Sequence, residues 1–275
     1  MNLNEKYSVL ISVYYKEKPE YLALSLDSML GQTIKPDEIV VVKDGPLNNE
    51  LDELINNYSK KYEGIIKVVK SDENIGLGRA LNLGLKNCKN ELVARMDTDD
   101  ISLPSRCESQ LKVFLNNEEL AIVGTGIDEF YNNPNEIISS RIVPTTHNEI
   151  YQFAKRRSAF NHPTVMYKKS KVLEVGGYKD LKRNQDVDLF GRMLFNGYKA
   201  ANLEESLLLF RSNEDLTKRR KSWENTKSYI SVIRSLYKIG YSSYRDYLIV
   251  MVAQTGMFLC PAKAQNWVYK KFLRK

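Results

Sequence analysis

The sequence predicts an α/β fold: a mostly parallel sheet flanked by helices, with a helical appendage at the C-terminus. Two observations carry this. Short apolar runs rich in Val and Ile alternate with segments whose apolar residues recur at helical spacing through the first 125 residues. The runs are apolar without a break rather than alternating, as expected of strands covered on both faces. With 275 residues, 43% hydrophobic and 27% charged, the chain can bury a full core.

SVLISV, Ser8–Val13, is the first strand. PEYLALSLDSMLGQT follows as a helix, with Leu22, Leu26, Met29 and Leu30 on one stripe, Pro19 in the first turn and Gly31 at the C-cap. EIVVVKDG is the second strand, LNNELDELINNYSKKY the second helix, and IIKVVKS the third strand. GLGRALNLGLKNC is helical, with Leu77, Leu81 and Leu85 aligned. ELVARMD is the fourth strand, LPSRCESQLKVFLNN a helix, and LAIVGTG the fifth strand. After Gly126 the pattern loosens. FNHPTVMYKKS reads as a turn and a strand, NQDVDLFGRMLFNGY as a helix, and NLEESLLLFR as ending in a strand. From Thr217 the chain reads as helical, with breaks near Gly240 and Pro261. These readings divide the chain into an α/β unit, 1–215, with halves of about 1–125 and 126–215, and a basic helical region, 216–275.

Composition excludes several classes. The three cysteines, Cys88, Cys107 and Cys260, are widely spaced and include no CxxC pair, which argues against a disulfide framework or a structural zinc site and for a reducing, cytoplasmic setting. The N-terminus lacks the pattern of a secretory signal. The longest apolar stretch, Tyr247–Cys260, has 14 residues. That is short of the roughly 20 a membrane span needs, so a packed or interfacial helix is expected. Net charge is +7, but Leu216–Lys275 carries 13 Lys/Arg and two acids, a net +11 against −4 for the rest. Such a tail suits an anionic partner, a phospholipid surface or a nucleic acid, or is a solvated helix face.

Chemistry concentrates where the strands end, the edge at which such sheets bind ligands. RMDTDD, Arg95–Asp100, places three carboxylates in four positions. On an extended strand Asp97 and Asp99 would share a face, about 7 Å apart. That spacing suits a hard cation, Mg²⁺ or Mn²⁺, completed by water and phosphate oxygens. Capping the helix that begins near Pro104 explains one acid, not three; Asp100 is expected to cap or to sit behind the metal ligands. Asp186 either caps its helix or serves as a general base, and Asp188 is expected to pair with Arg192 at i,i+4. His162 is either structural or part of an acceptor or leaving-group pocket. His147 is expected at the surface or at an N-cap. Gly76-x-Gly78 fails the dinucleotide fingerprint because the third glycine position holds Leu81.

The stretches SVLISVYYKE, SLDSMLGQT, DEIVVVKDGP, NIGLGRALNLGL, ARMDTDDISLPSR, NHPTVMYKKS, VGGY and QDVDLFGRM, in this order, resemble the inverting family 2 glycosyltransferases of GT-A fold. The subgroup that makes capsule, exopolysaccharide and O-antigen, typified by the amylovoran enzymes, is the most similar in pattern. The resemblance spans about Ser8–Arg211 and implies a Rossmann-like sheet and a hexosyl- or N-acetylhexosaminyltransferase. Asp97-Thr98-Asp99 corresponds to the family's DXD motif, with Asp99 the direct metal ligand and Asp97 near metal and ribose. Asp186 corresponds to the base. Val13, Tyr14 and Glu17 correspond to the loop around base and ribose, and Asp44 to the uracil contact. Three departures are visible: Lys43-Asp44-Gly45-Pro46 in place of Asp-Asp-Gly-Ser, Leu81-Asn82 with Arg79 in place of Arg-Asn, and Gln185-Asp186 in place of Glu-Asp.

The resemblance further implies a nucleotide-sugar donor, UDP-linked, and a lipid-linked or free saccharide acceptor. The enzyme would work at the inner face of the membrane, with a homodimer allowed. Arg211, Arg219 and Arg220 are assigned to the donor diphosphate or to the lipid diphosphate of the acceptor, and His162 and Gln185 to the acceptor or the diphosphate. The tail fits a peripheral membrane position independently, since Trp267, Tyr269 and Phe272 neighbour Lys270, Lys271 and Arg274. Packing on the catalytic unit is the competing expectation. A metal phosphohydrolase would need a nucleophilic Asp directly after the first strand, where SVYYKE has none. A nucleic-acid binder would leave the acidic cluster unexplained.

Overall fold

The computed structural model describes residues 5–212 and 222–260. Its first half is the expected alternation: β1 (Tyr7–Val13), α1 (Pro19–Leu30), β2 (Glu38–Lys43), α2 (Asn49–Lys61), β3 (Ile66–Lys70), α3 (Leu77–Asn87), β4 (Leu92–Arg95), β5 (Ile101–Ser102), α4 (Arg106–Asn116) and β6 (Leu120–Phe130). The second half comprises β7 (Ile137–Arg141), α5 (His147–Ala154), a 3₁₀ turn (His162–Thr164), β8 (Met166–Lys168), α6 (Lys169–Glu174), α7 (Gln185–Phe195), β9 (Lys199–Arg211), α8 (Trp223–Lys238) and α9 (Tyr244–Leu259).

All nine strands join one sheet in the order β3-β2-β1-β4-β8-β6-β9-β5, with β7 also paired to β6. β1 pairs in parallel with β2 and β4, and β2 with β3, so the C-terminal ends of β1, β2 and β4 share one edge. β8 runs antiparallel between β4 and β6. Both faces are covered. Val9, Ile11 and Val13 of β1 join the core beneath α1, α2 and α4, while Leu10 joins the one beneath α3 and α7. This explains why Val9, Leu10 and Ile11 form an unbroken apolar run.

Three expectations change. β4 ends at Arg95, so Asp97 and Asp99 lie in a loop, and the alternation of a strand does not set their directions. The reason is pairing. β4 pairs with β1 through Leu92–Arg95 and with β8 through Leu92–Ala94, after which the chain turns away to form β5 against β9. The fifth predicted strand runs on to Phe130, because β7 and β9 flank its second half. Finally, His147 is the first residue of α5, capped by Thr146, and its Nδ1 accepts from the Ala200 amide at 3.3 Å.

The predicted break near Gly240 separates α8 from α9, and Gly240 has φ +91°. α8 packs on α7: a Cβ at Gly191 would stand 2.7 Å from Leu236. Ser243 and Asp246 form a capping box at the start of α9, and Asp246 also pairs with Arg156. The boundary at 215/216, Arg219, Arg220 and the aromatic-basic cluster Trp267–Arg274 lie outside the described residues.

Candidate functional site

The site assembles at the C-terminal ends of β1, β2 and β4. Val13 is wholly buried in the core, and its carbonyl accepts from the Asp44 amide at 2.8 Å, so it shapes the loop rather than offering a side chain. Tyr14 and Glu17 follow, half-buried, with the Glu17 amide on the Tyr14 carbonyl at 3.1 Å. The buried carboxylate of Asp44 accepts from the Ile75 amide at 2.7 Å, tying the turn after β2 to the loop before α3. Burial raises its pKa against the lowering effect of the Ile75 and Gly76 amides. Gly45 is required beside it: φ is +83°, and a Cβ would stand 2.6 Å from the Asn74 nitrogen. Arg79, in the first turn of α3, is exposed and lies 3.9 Å from Asp180.

The acidic loop is held from several directions. Arg95, the last residue of β4, is fully buried and ion-paired with Asp97. Its Nε has no hydrogen-bond partner among the described residues. Ser25 on α1 donates to the Asp97 carbonyl at 2.7 Å. Thr98 is buried and Asp99 half-buried. Burial, followed by the Asp97 carboxylate, pushes the Asp99 pKa up to about 6. Asp100 has no exposed surface; it accepts from the Arg211 amide at 2.8 Å, and burial with its two acidic neighbours holds its pKa well above the usual carboxylate range. It caps no helix: α4 has Ser105 at its N-cap. Arg211 is itself buried. Its Nε donates to the Asp99 carbonyl at 2.9 Å, and its guanidinium packs against the rings of Tyr21 and Phe130.

The start of α7 lies within reach of the same Arg95 charge. Asn184, its N-cap residue, takes the left-handed conformation with φ 59°. Asp186 sits in the first turn, and burial raises its pKa, opposed by main-chain amides of the helix start, by Arg141 and by Arg95. Asp188 is bound at 2.7 Å by Arg192, the expected i,i+4 pair, and at 2.9 Å by Lys179. Gln185 is buried. His162 Nε2 lies 2.9 Å from the Tyr178 hydroxyl, and burial, with the nearby Arg95 charge, holds its pKa well below the usual value, so the ring is neutral. Asn82 bonds both main-chain groups of Tyr178, at 2.7 and 2.8 Å.

Arg95 is the residue at which the two sides meet. Its charge acts on Asp97, Asp99 and Asp100 on one side, and on His162, Tyr178 and Asp186 on the other. The sequence reading missed it, together with Ser25, Tyr178 and Arg141. Arg95 was visible as the only basic residue inside the acidic run; the others carry no local signal. Among the described residues no group of three or more His, Cys, Asp or Glu side chains is placed to hold a metal.

Residues 8–181 match the family described as Glycosyl transferase family 2. The chain belongs to that family. An Escherichia coli relative, UDP-Gal:alpha-D-GlcNAc-diphosphoundecaprenol beta-1,3-galactosyltransferase, is 33% identical over 270 residues, covering 98% of this chain and 97% of its own. Amylovoran biosynthesis glycosyltransferase AmsE of Erwinia amylovora is 35% identical over 265 residues, covering 96% of this chain and 98% of its own. Among solved structures, the mannosyltransferase PcManGT of Pyrobaculum calidifontis, in complex with GDP-Man and Mn²⁺, superimposes with a TM-score of 0.67 at 14% identity, over 96% of this chain and 73% of that one. This likeness bears on fold, and the expected GT-A architecture holds. The chain is thus a family 2 glycosyltransferase, related to enzymes of bacterial polysaccharide synthesis.

Proposed function

We propose that this glycosyltransferase moves a hexosyl or N-acetylhexosaminyl group from a UDP-sugar to a hydroxyl of a lipid-linked saccharide, with inversion and with the help of a divalent cation. The observation that carries the reading is the convergence of the Asp97–Asp99 loop and Asp186 on Arg95. The E. coli relative's name, with its UDP-Gal donor and diphosphoundecaprenol acceptor, supports both substrate classes.

The donor set fits a hard cation. Asp97 and Asp99 present carboxylate oxygens, and a cation relieves the burial and mutual repulsion that raise Asp99. Asp97 and Asp99 would hold Mn²⁺ or Mg²⁺, which supplies charge neutralisation at the departing diphosphate. Asp186 takes the proton of the acceptor hydroxyl as that oxygen attacks the anomeric carbon from the face opposite the diphosphate. Its raised pKa keeps it basic enough to receive that proton. Neutral His162, fixed by Tyr178, can accept or donate one hydrogen bond to the bound saccharide. Tyr14, Glu17 and Asp44 border the space for base and ribose, and Arg79 stands at the edge of the diphosphate space.

We further assign residues 1–215 as the catalytic unit and the remainder as a peripheral membrane contact at the inner face. No helix among the described residues is long and apolar enough to cross a membrane. α9 nevertheless leaves Val252 67% and Leu259 73% exposed, which supports interfacial contact beside the basic tail.

The test is release of free nucleoside diphosphate from a panel of UDP- and GDP-sugars with Mn²⁺, with an undecaprenyl diphosphate-linked saccharide as acceptor. Turnover with a UDP-sugar and its loss in Asp99→Ala are expected. Activity undiminished in that variant would overturn the metal assignment.

A further inference from the structure

We propose that Arg211 is a positioning residue of the transfer reaction, acting through Asp99 rather than on the diphosphate. The proposal rests on the reading of Asp97 and Asp99 as cation ligands. Arg211 ends β9, and its two ends grip adjacent residues of the acidic loop. Its amide donates to Asp100 Oδ1 at 2.8 Å, and its Nε donates to the Asp99 carbonyl at 2.9 Å. Nη1 reaches the Tyr131 carbonyl at 3.4 Å. The guanidinium carbon lies 3.9 Å from the centre of the Tyr21 ring and 4.5 Å from that of Phe130. Just beyond the loop, β5 adds the pairs Ile101–Leu209 and Ser102–Leu208, so β9 fastens the chain from Asp99 to Ser102.

A side chain that neutralises a diphosphate must offer N–H groups to it. Arg211 is 4% exposed and gives two of its three nitrogens to main-chain carbonyls. What it controls is the path of the backbone through Asp99, and so the direction of that carboxylate. The fork geometry and flat face needed for this belong to arginine; a lysine ammonium keeps the charge and loses both.

The charge-preserving substitution therefore separates the two roles. Mn²⁺ is titrated into the full chain with UDP present, and free Mn²⁺ is followed by its electron paramagnetic resonance signal. Substituting a group that orients a metal ligand costs about 10–100-fold in affinity. Arg211→Lys and Arg211→Met are expected to weaken Mn²⁺ binding alike, by about tenfold or more. Wild-type affinity in Arg211→Lys overturns the proposal. Should that variant fail to melt cooperatively, Tyr21→Leu decides: weaker binding supports the proposal and unchanged binding overturns it. Asp99→Ala distinguishes the underlying reading. If wild type and Asp99→Ala bind Mn²⁺ equally, the cation assignment and this proposal fall together; if only Asp99→Ala loses it, the positioning role alone has failed.

Discussion

Asn82 and Tyr178, 96 residues apart, are joined by two hydrogen bonds of 2.7 and 2.8 Å through which one side-chain amide satisfies both main-chain groups of the tyrosine. The first lies on α3, in the first half of the chain. The second carries the hydroxyl that fixes His162. Two part-buried bonds at about 1 kcal/mol each predict that Asn82→Ala loses about 2 kcal/mol of stability. For a chain of this size the thermal midpoint should fall by roughly 4–8 °C. With Tyr178 loosened, KM for the acceptor should rise more than KM for the donor. Calorimetry and steady-state kinetics check both; an unchanged midpoint would refute the clasp.

Asp186 as base gives a signed pH dependence. As the proposed base, Asp186 acts in its carboxylate form, so kcat/KM is expected to fall as pH drops through its pKa. Because burial places that pKa above the ordinary carboxylate value, the acid limb begins at higher pH than for an exposed aspartate. Asp186→Asn should lower kcat by about 10²–10⁴-fold while UDP affinity stays unchanged. A variant retaining most of the wild-type rate would remove Asp186 from the mechanism.

Arg95→Met tests the buried cation. Removing one partner of a buried ion pair costs about 3–5 kcal/mol, and here Asp99 and Asp100 lose a counter-charge as well. The thermal midpoint should fall steeply. Mn²⁺ should then restore more stability in the variant than in wild type, because it becomes the main positive charge facing the acids. A smaller Mn²⁺-induced shift in Arg95→Met would contradict this.

The first half of the chain was legible because its strands are buried on both faces and its helices carry clean stripes, so each element announces itself locally. The acids were legible for the same reason, since Asp97, Asp99 and Asp186 sit in compact motifs. What the sequence hid is long-range. Ser25 holds the Asp97 carbonyl across 72 positions, and Arg211 reaches Asp99 across 112. Neither contact imposes a period on its own segment. β5, two residues long, and β7, with Ile137 and Ile138 exposed, lack the pattern of a covered strand. Expecting Asp97 and Asp99 to share a strand face failed because pairing stops at Arg95, which no propensity marks.

The attachment of α9 gives the last prediction. Asp246 is buried, which alone would raise its pKa, but the Ser243 hydroxyl and amide together with Arg156 outweigh this and hold it below the usual carboxylate value. A depressed folded-state pKa means that the stabilisation is present above the unfolded value, near pH 4, and is lost as pH falls through the folded one. Asp246→Ala removes the capping box, worth about 1 kcal/mol, and the contact to Arg156. The gap in thermal midpoint between wild type and Asp246→Ala should be full at pH 6 and shrink toward pH 3. A gap that stays constant across that range would show that the carboxylate's charge does not hold α9 in place.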